Sequence, residues 1–291
     1  MSSFHLCTLM KPATPTPRSW LRIFHSCLLF PFGLLMAALP AKIRAENVDT
    51  ELLLLVDISR PELSPQRFNR LMDAYADSFS SSQVLNSIQS GHYGKIAVAM
   101  MFFGGNTVQQ MAVPWMSISN AQDAATFGQL ATQAVQPVSL LNPNIANALA
   151  AASASFGSET GAPDNGFESV VQIVEVAAVR LPSGSPSQAA AASDSAIAAG
   201  VDVINAIAMG NFTAPIQAFY SSNVIGTTIP GMKVAVTTSL FNNGLGNLVG
   251  TGLNESVENG AVVSNASAVP EPASHLVLLS GLVLLFIRRR A

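Results

Sequence analysis

Residues 51–56, ELLLLV, form an almost wholly apolar run that leads directly into Asp57. A run with no polar face for water predicts the central strand of a parallel sheet, buried on both sides. Residues 95–103, KIAVAMMFF, repeat this pattern, and helical patterns separate such runs along the chain. Strands that alternate with helices indicate a doubly wound α/β fold, with a mostly parallel sheet and helices on both faces.

Shorter signals place the other elements of the segment 46–242. Ser64 and Pro65 predict a helix start, because serine caps a helix and proline fits its first turn. A capping box from Ser119 to Gln122 predicts the start of another helix. The remaining predicted elements are a strand over 108–115 antiparallel to 95–103, helices over 142–156 and 187–199, and strands over 170–176, 201–209 and 234–238.

Residues 1–45 have the pattern of a secretory signal peptide. A basic leader precedes the apolar stretch 23–40, and an alanine stands at the junction with the acidic Glu46. The pattern allows cleavage after Ala41 or after Ala45, and it also allows an uncleaved membrane anchor. A buried helix would give the basic leader no role.

The segment 269–291 contains three features in a fixed order: a Pro-Glu-Pro motif, an apolar run and a cluster of arginines. The stretch before it, 243–268, is rich in Gly, Asn and Ser and is predicted to be a linker. The apolar run of the tail, 276–287, is short for a membrane span, which usually needs about 20 residues. Terminal arginines are typical of the cytoplasmic side of a membrane. The polar features are Pro270, Glu271 and Pro272 before the run, and Arg288, Arg289 and Arg290 after it.

This tail resembles the PEP-CTERM sorting signal. The resemblance implies an exosortase, a membrane transpeptidase, as partner, in Gram-negative bacteria that make exopolysaccharide. It also implies a transient inner-membrane intermediate, followed by a place in the cell envelope, on the cell surface or in the extracellular matrix. An ordinary tail anchor is the alternative interpretation.

The residue types of the segment 46–268 exclude several kinds of chemistry. Both cysteines, Cys7 and Cys27, precede it, so it has no thiolate ligand or cysteine nucleophile, and His92 is its one histidine. It has no Gly-x-Ser-x-Gly elbow and no phosphate-binding glycine loop. Its carboxylates outnumber its basic residues, which disfavours nucleic-acid binding. We therefore do not expect an enzyme, although a pair of carboxylates for glycoside hydrolysis cannot be read from spacing.

A succession of segments over about 48–240 carries a second resemblance. These segments are LLLLVDISR, HYGKIAVAMMFFGG, VPW, IANAL, FESVVQIVEV, AAGVDVINAIAM and FYSSNVIG. Their order is similar to that of a von Willebrand factor A-like (Rossmann-like) domain, specifically a secreted bacterial family known as a domain of unknown function. The resemblance implies the same doubly wound fold for residues 46–242.

Domains of this class often bind a divalent cation at a metal-ion-dependent adhesion site. The resemblance implies Asp57, Ser59 and Asn144 as ligands for Mg²⁺ or Ca²⁺, since both ions prefer oxygen ligands. Pro61 replaces the second serine of the first loop, and Val179 stands where the third loop would supply an aspartate. The site is therefore degenerate, and we expect no bound cofactor.

Three functional hypotheses follow. The leading one is an exported, non-catalytic binding or structural module of the cell envelope or exopolysaccharide matrix, facing a protein or polysaccharide partner. The second is an adhesion domain that binds Mg²⁺ or Ca²⁺ through the partial site. The third is a hydrolase that acts on matrix polymers.

Overall fold

The computed structural model describes residues 45–60, 62–139, 141–211, 213–230, 232, 234–239, 241 and 245–267. The predicted sorting tail, and the predicted signal peptide apart from Ala45, lie outside these ranges. The strands are β1 (Glu46–Val48), β2 (Glu51–Asp57), β3 (Ile96–Gly104), β4 (Val108–Ile118), β5 (Phe167–Ser169), β6 (Gln172–Ala178), β7 (Val203–Met209), β8 (Gly226–Thr227) and β9 (Val236–Ser239). The helices are α1 (Pro65–Phe79), α2 (Ser82–Gln89), α3 (Ala121–Gln133), α4 (Ile145–Ser153), α5 (Pro186–Ala199), α6 (Thr213–Asn223) and α7 (Leu245–Ser267).

The main sheet has the strand order β4-β3-β2-β6-β7-β8, and β9 also pairs with β7. Strand β2 is parallel to β3 and β6, and β7 is parallel to β6 and β9. Only the flanking pairs β3–β4 and β7–β8 are antiparallel among the described strands. Strands β1 and β5 form a small separate parallel pair. The predicted doubly wound, mostly parallel α/β fold is confirmed.

Strand β2 lies at the centre because both of its faces are apolar. Leu52, Leu54 and Val56 are in one core with residues of α1, α2, α3 and α7. Leu53 and Leu55 point the other way, into a second core with residues of α4, α5 and α6. Every residue of the strand is buried, which is the burial that its continuous apolar run predicts.

The cap of α3 differs from the predicted capping box. Asn120 is the N-cap, and its side chain accepts hydrogen bonds from the backbone N–H groups of Gln122 and Asp123. The N–H and hydroxyl of Ser119 both donate to the Asp123 carboxylate. Asp123 thus accepts the backbone hydrogen bond that the predicted capping box assigned to the Gln122 side chain. Asparagine caps a helix as well as serine does, so the pattern alone placed the start one residue early.

The predicted linker over 243–268 is wrong, because Leu245–Ser267 form the long helix α7. Its buried apolar side chains recur at every fourth position, which is helical spacing, and all of them except Ala261 belong to the same core as α1. The glycines that suggested flexibility allow close packing: a Cβ on Gly260 would collide with the Thr50 side chain. The members of this stripe are Leu245, Val249, Leu253, Val257 and Ala261.

Candidate binding face at the carboxyl edge

The loops that follow β2, β3 and β6 meet at one edge of the sheet, since these strands are parallel neighbours. The loop 134–144, which precedes α4, is bonded to two of them. The Arg60 N–H donates to the Ser139 carbonyl at 2.8 Å, and the Ser183 N–H donates to the Pro143 carbonyl at 2.7 Å. Backbone hydrogen bonds therefore join the three loops of the predicted site: the first loop, after β2, the second loop, 134–144, and the third loop, after β6.

Asp57 ends β2 and is completely buried beneath these loops. One carboxylate oxygen accepts the Ser59 N–H at 2.9 Å, and the other accepts the Val179 N–H at 3.2 Å. Burial raises the pKa of Asp57 to about 6, although hydrogen bonds from Ser59 and Val179 act in the opposite direction. The carboxyl group therefore ties the first loop to the third.

Two hydroxyl groups near Asp57 are buried without a hydrogen-bond partner among the described residues. They are the hydroxyls of Ser59 and of Tyr220, which lies on α6. Burial, and then the negative charge of Asp57, raises the pKa of Tyr220. Sequence reasoning missed Tyr220, because nothing in its helical surroundings distinguishes it from an ordinary core aromatic residue.

Asn144 is the N-cap of α4, and both ends of its side-chain amide are engaged. The amide oxygen accepts the Asn147 N–H at 3.1 Å, and the amide nitrogen donates to Asn106 at 2.8 Å. The side chain serves the start of the helix and the loop after β3. Asn144 is thus close in the fold to the other predicted ligands but is used as a cap.

These residues do not fit a Mg²⁺ site. Asp57 is completely buried, and each of its oxygens is tied to a loop by one backbone N–H. Val179, whose side chain cannot coordinate a metal, is buried at the place of the third-loop aspartate. The part of the chain that the structure describes contains no group of three or more His, Cys, Asp or Glu side chains that could hold a metal ion. Since Mg²⁺ needs several well-placed oxygens, we derive no chemistry from a metal here.

Side chains also fasten the loop 134–144 over the first loop. Arg60 donates to the Gln136 side chain at 3.4 Å, and Gln136 donates to the Leu63 carbonyl at 2.8 Å. Arg180 forms an ion pair with Glu62 at 3.6 Å. Each of these contacts is weak by itself, but together they hold three loop segments in one surface.

Four large aliphatic side chains are exposed on the outer surface of this edge. Val135, Val138 and Leu141 are 82%, 68% and 65% exposed on the loop 134–144, and Leu181 is 40% exposed on the third loop. Leu141 and Ser183 also line a shallow depression of about 350 Å³. Aliphatic side chains this exposed on one short loop are a mark of a binding surface.

The fold is that of a von Willebrand factor A domain. The proximal thread matrix protein 1 from the mussel byssus superposes with a TM-score of 0.51 at 16% identity, over 74% of this chain and 49% of that chain. The same protein with a zinc-occupied MIDAS motif gives a TM-score of 0.50 at 16% identity, over 73% of this chain and 49% of that one. A von Willebrand factor type A structure from Catenulispora acidiphila gives 0.46 at 11% identity, over 75% and 43% of the two chains. The chain thus spans about half the length of the first solved proteins that it matches.

The chain belongs to the family DUF1194, described as a protein of unknown function, which matches residues 47–245. The PEP-CTERM protein-sorting motif matches residues 268–290. The resemblance to this family and the resemblance to the sorting signal are both confirmed. The sorting motif makes the chain an exported protein that an exosortase sorts. No curated protein matches the chain.

Helix α7 joins the two matched regions, since it begins where the family match ends and stops just before the sorting motif. Across the described ranges, no helix is both long and apolar enough to cross a membrane. The predicted membrane segment of the tail, 276–287, lies outside those ranges and stays a prediction.

Proposed function

We propose that this protein is a non-catalytic binding module of the cell envelope or exopolysaccharide matrix, and that its carboxyl-edge face binds a protein. The observation that carries this proposal is the exposure of Val135, Val138 and Leu141 on one loop. Covering such side chains removes apolar surface from water, at about 25 cal/mol per Å². Aliphatic groups offer no hydrogen bonds to sugar hydroxyls, which favours a protein over a polysaccharide partner.

The positions of the residues that could catalyse a reaction support a non-catalytic role. His92 lies in the turn between α2 and β3, at the amino edge of the sheet, where the adjacent Tyr93 N–H contacts Asp49. Asp57 and Ser59 lie at the opposite, carboxyl edge, and both are fully buried. A Ser-His-Asp arrangement needs these groups within hydrogen-bonding reach of each other.

Serine substitutions test the binding face. In a triple variant with Val135→Ser, Val138→Ser and Leu141→Ser, we expect matrix-bound protein to fall at least about tenfold, because the variant loses most of the apolar area of the loop. The measurement is the ratio of matrix-bound to freely soluble protein after secretion. Val262→Ser is the matched control, since Val262 is 64% exposed but lies on α7.

Unchanged retention of the triple variant would reject the face as the binding surface. Rebinding of purified protein to matrix treated with a protease or with glycosidases then separates the partner classes. We expect protease treatment to abolish rebinding, whereas loss only after glycosidase treatment would indicate a polysaccharide partner.

The metal-dependent adhesion domain is the rival, and calorimetry separates the two. Titration of the full chain with Mg²⁺ or Ca²⁺ is expected to give no saturable heat at the carboxyl edge, because Asp57 already accepts two backbone N–H groups. A saturable signal that disappears in Asp57→Ala would establish the rival instead.

A further inference from the structure

Glu175 is a carboxyl group in the middle of β6, completely buried under α7. Its strand neighbours are Leu54 on β2 and Asn205 on β7. One carboxyl oxygen accepts the Ser256 hydroxyl of α7 at 2.9 Å. The other oxygen has no hydrogen-bond partner among the residues that the structure describes. A buried carboxylate with a single donor is costly, since it has lost the water that solvated its charge.

The free oxygen of Glu175 lies beside a small cavity between α7 and the strands β7 and β9. Asn205 and Thr237 line this cavity, and the Thr237 hydroxyl has no partner within the described ranges. Gly252 of α7 also lines the cavity, and a Cβ there would be in ordinary van der Waals contact with the free oxygen, at 3.6 Å. The cavity has room for about one water molecule. A single water can complete the hydrogen bonding of a neutral carboxyl, but it does not replace the hydration that a charged carboxylate loses on burial.

The ionisable groups that face Glu175 offer no positive charge. Tyr75 approaches from α1, and the charge of Glu175 adds to the burial that raises the pKa of this tyrosine. Glu255 approaches from α7 and is itself acidic. The neighbouring strands contribute Leu54 and the neutral amide of Asn205. Among the described groups named here, the Ser256 hydrogen bond is therefore the one contact that favours the ionised form of Glu175, and no positive charge assists it.

Helix α7 is held to the body by polar contacts as well as by its apolar stripe. Ser264 donates to Asp49 at 2.5 Å, close to the end of the helix. Asn254 accepts the Ser87 hydroxyl at 2.8 Å, near the middle. The sorting motif begins at residue 268, directly after the helix. The segment that carries the sorting motif is therefore attached directly to the end of α7.

We propose that α7 is a pH-sensitive strap, docked while Glu175 carries its proton and loosened when that proton is lost. The sorting motif then gains reach as the pH rises. A released stretch of 23 residues extends to about 75 Å, against about 35 Å as a helix. The strap acts on the segment ahead of the sorting motif and does not depend on the proposed binding face.

The direction of the pH effect follows from the geometry. Burial raises the pKa of Glu175 from 4.5 to about 7, and the Ser256 hydrogen bond offsets part of this. When α7 is released, Glu175 is hydrated and its pKa returns towards the ordinary value. The docked state binds the proton more tightly, so docking is strongest at low pH and is lost progressively as the pH rises through about 7.

Hydrogen exchange of the full chain in detergent tests the strap. Wild type and Glu175→Gln are compared at the same pH, so that the intrinsic chemistry of exchange cancels. Between pH 5.5 and 8.5, we expect the protection of α7 amides to fall about 30-fold more in wild type than in Glu175→Gln. Asp57→Asn is the matched control, because it neutralises another buried carboxyl that does not touch α7, and it should retain the wild-type behaviour of α7.

Equal pH dependence of α7 protection in wild type and Glu175→Gln would overturn the proposal. Ser256→Ala provides a second test should Glu175→Gln fold poorly. Loss of the single donor to the Glu175 carboxylate should move the loss of α7 protection to higher pH and make it larger. An unchanged profile in Ser256→Ala would likewise reject Glu175 as the group that controls the strap.

Discussion

Raising the pH from 5 to 8 is expected to lower the free energy of unfolding by on the order of 5 kcal/mol. Burial raises the pKa values of three carboxyl groups: Glu51 to about 8, Asp57 to about 6 and Glu175 to about 7. A raised pKa in the folded state means that folding binds protons. The associated stability is therefore fully present at low pH and is lost as the pH rises through these values.

Glu51 makes the largest contribution to this pH dependence. It is buried at the start of β2 and accepts hydrogen bonds from Asn165 and Ser169, while the nearby carboxylate of Glu159 opposes its ionisation. Urea denaturation of wild type at a series of pH values measures the slope. Glu51→Gln and Glu175→Gln should each flatten it, and Asp73→Asn, on the exposed side of α1, should leave it unchanged. A free energy of unfolding that is constant or rises with pH would contradict the assigned burial of these groups.

Replacing Gly260 by alanine is expected to destabilise the protein by about 1–3 kcal/mol, the usual cost of overpacking. A Cβ at this position of α7 would collide with Thr50, which is completely buried beside β2. Thr50 cannot move aside into solvent, so the helix must shift away from the sheet. Urea denaturation measures the loss of stability, and limited proteolysis within 245–267 reports the loosened helix.

Gly246→Ala is the matched control for Gly260→Ala. Gly246 is on the same helix, but a Cβ there would meet nothing within 4 Å among the described residues. Alanine is the better helix former, by up to about 1 kcal/mol, so this variant should be as stable as wild type or more so. Equal stability of the two variants would mean that α7 does not pack against the body as described.

The central strands β2, β3 and β6 were predictable because they are buried on both faces. A run of apolar residues such as 52–56 is typical of a strand that is buried on both faces of a sheet. Asp57, directly after this run, is therefore expected at the carboxyl edge. The sorting tail was predictable for a different reason. Its three features are read in the order in which they stand along the chain, without any tertiary structure.

Helix α7 and the Glu175 strap were not predictable in this way. The Gly, Asn and Ser residues of 243–268 dominate its composition, and they concealed apolar residues that recur every four positions. Glycine weakens an isolated helix, but tertiary packing at Gly260 outweighs that preference. The setting of Glu175 depends on a helix some eighty residues later in the chain, which no local pattern reveals.

The candidate site was predictable only in part. Asp57, Ser59 and Asn144 lie in neighbouring loops. The position of Asp57 and Ser59 directly after a buried strand indicated this edge, whereas Asn144 was implied by the family resemblance alone. The hydrogen bonds that each of these side chains makes were not predictable, because they depend on which N–H groups the tertiary structure brings next to it. Val179 supplies a backbone N–H where a ligand carboxylate was missing, and Asn144 caps a helix.

Mass spectrometry of the cell-associated and released forms of the protein tests the central claim, that an exosortase sorts this chain to the outside of the cell. The account predicts that the mature form keeps α7 and lacks the residues that follow the Pro270-Glu271-Pro272 region. A mature surface form that still carries Arg288, Arg289 and Arg290 would contradict it.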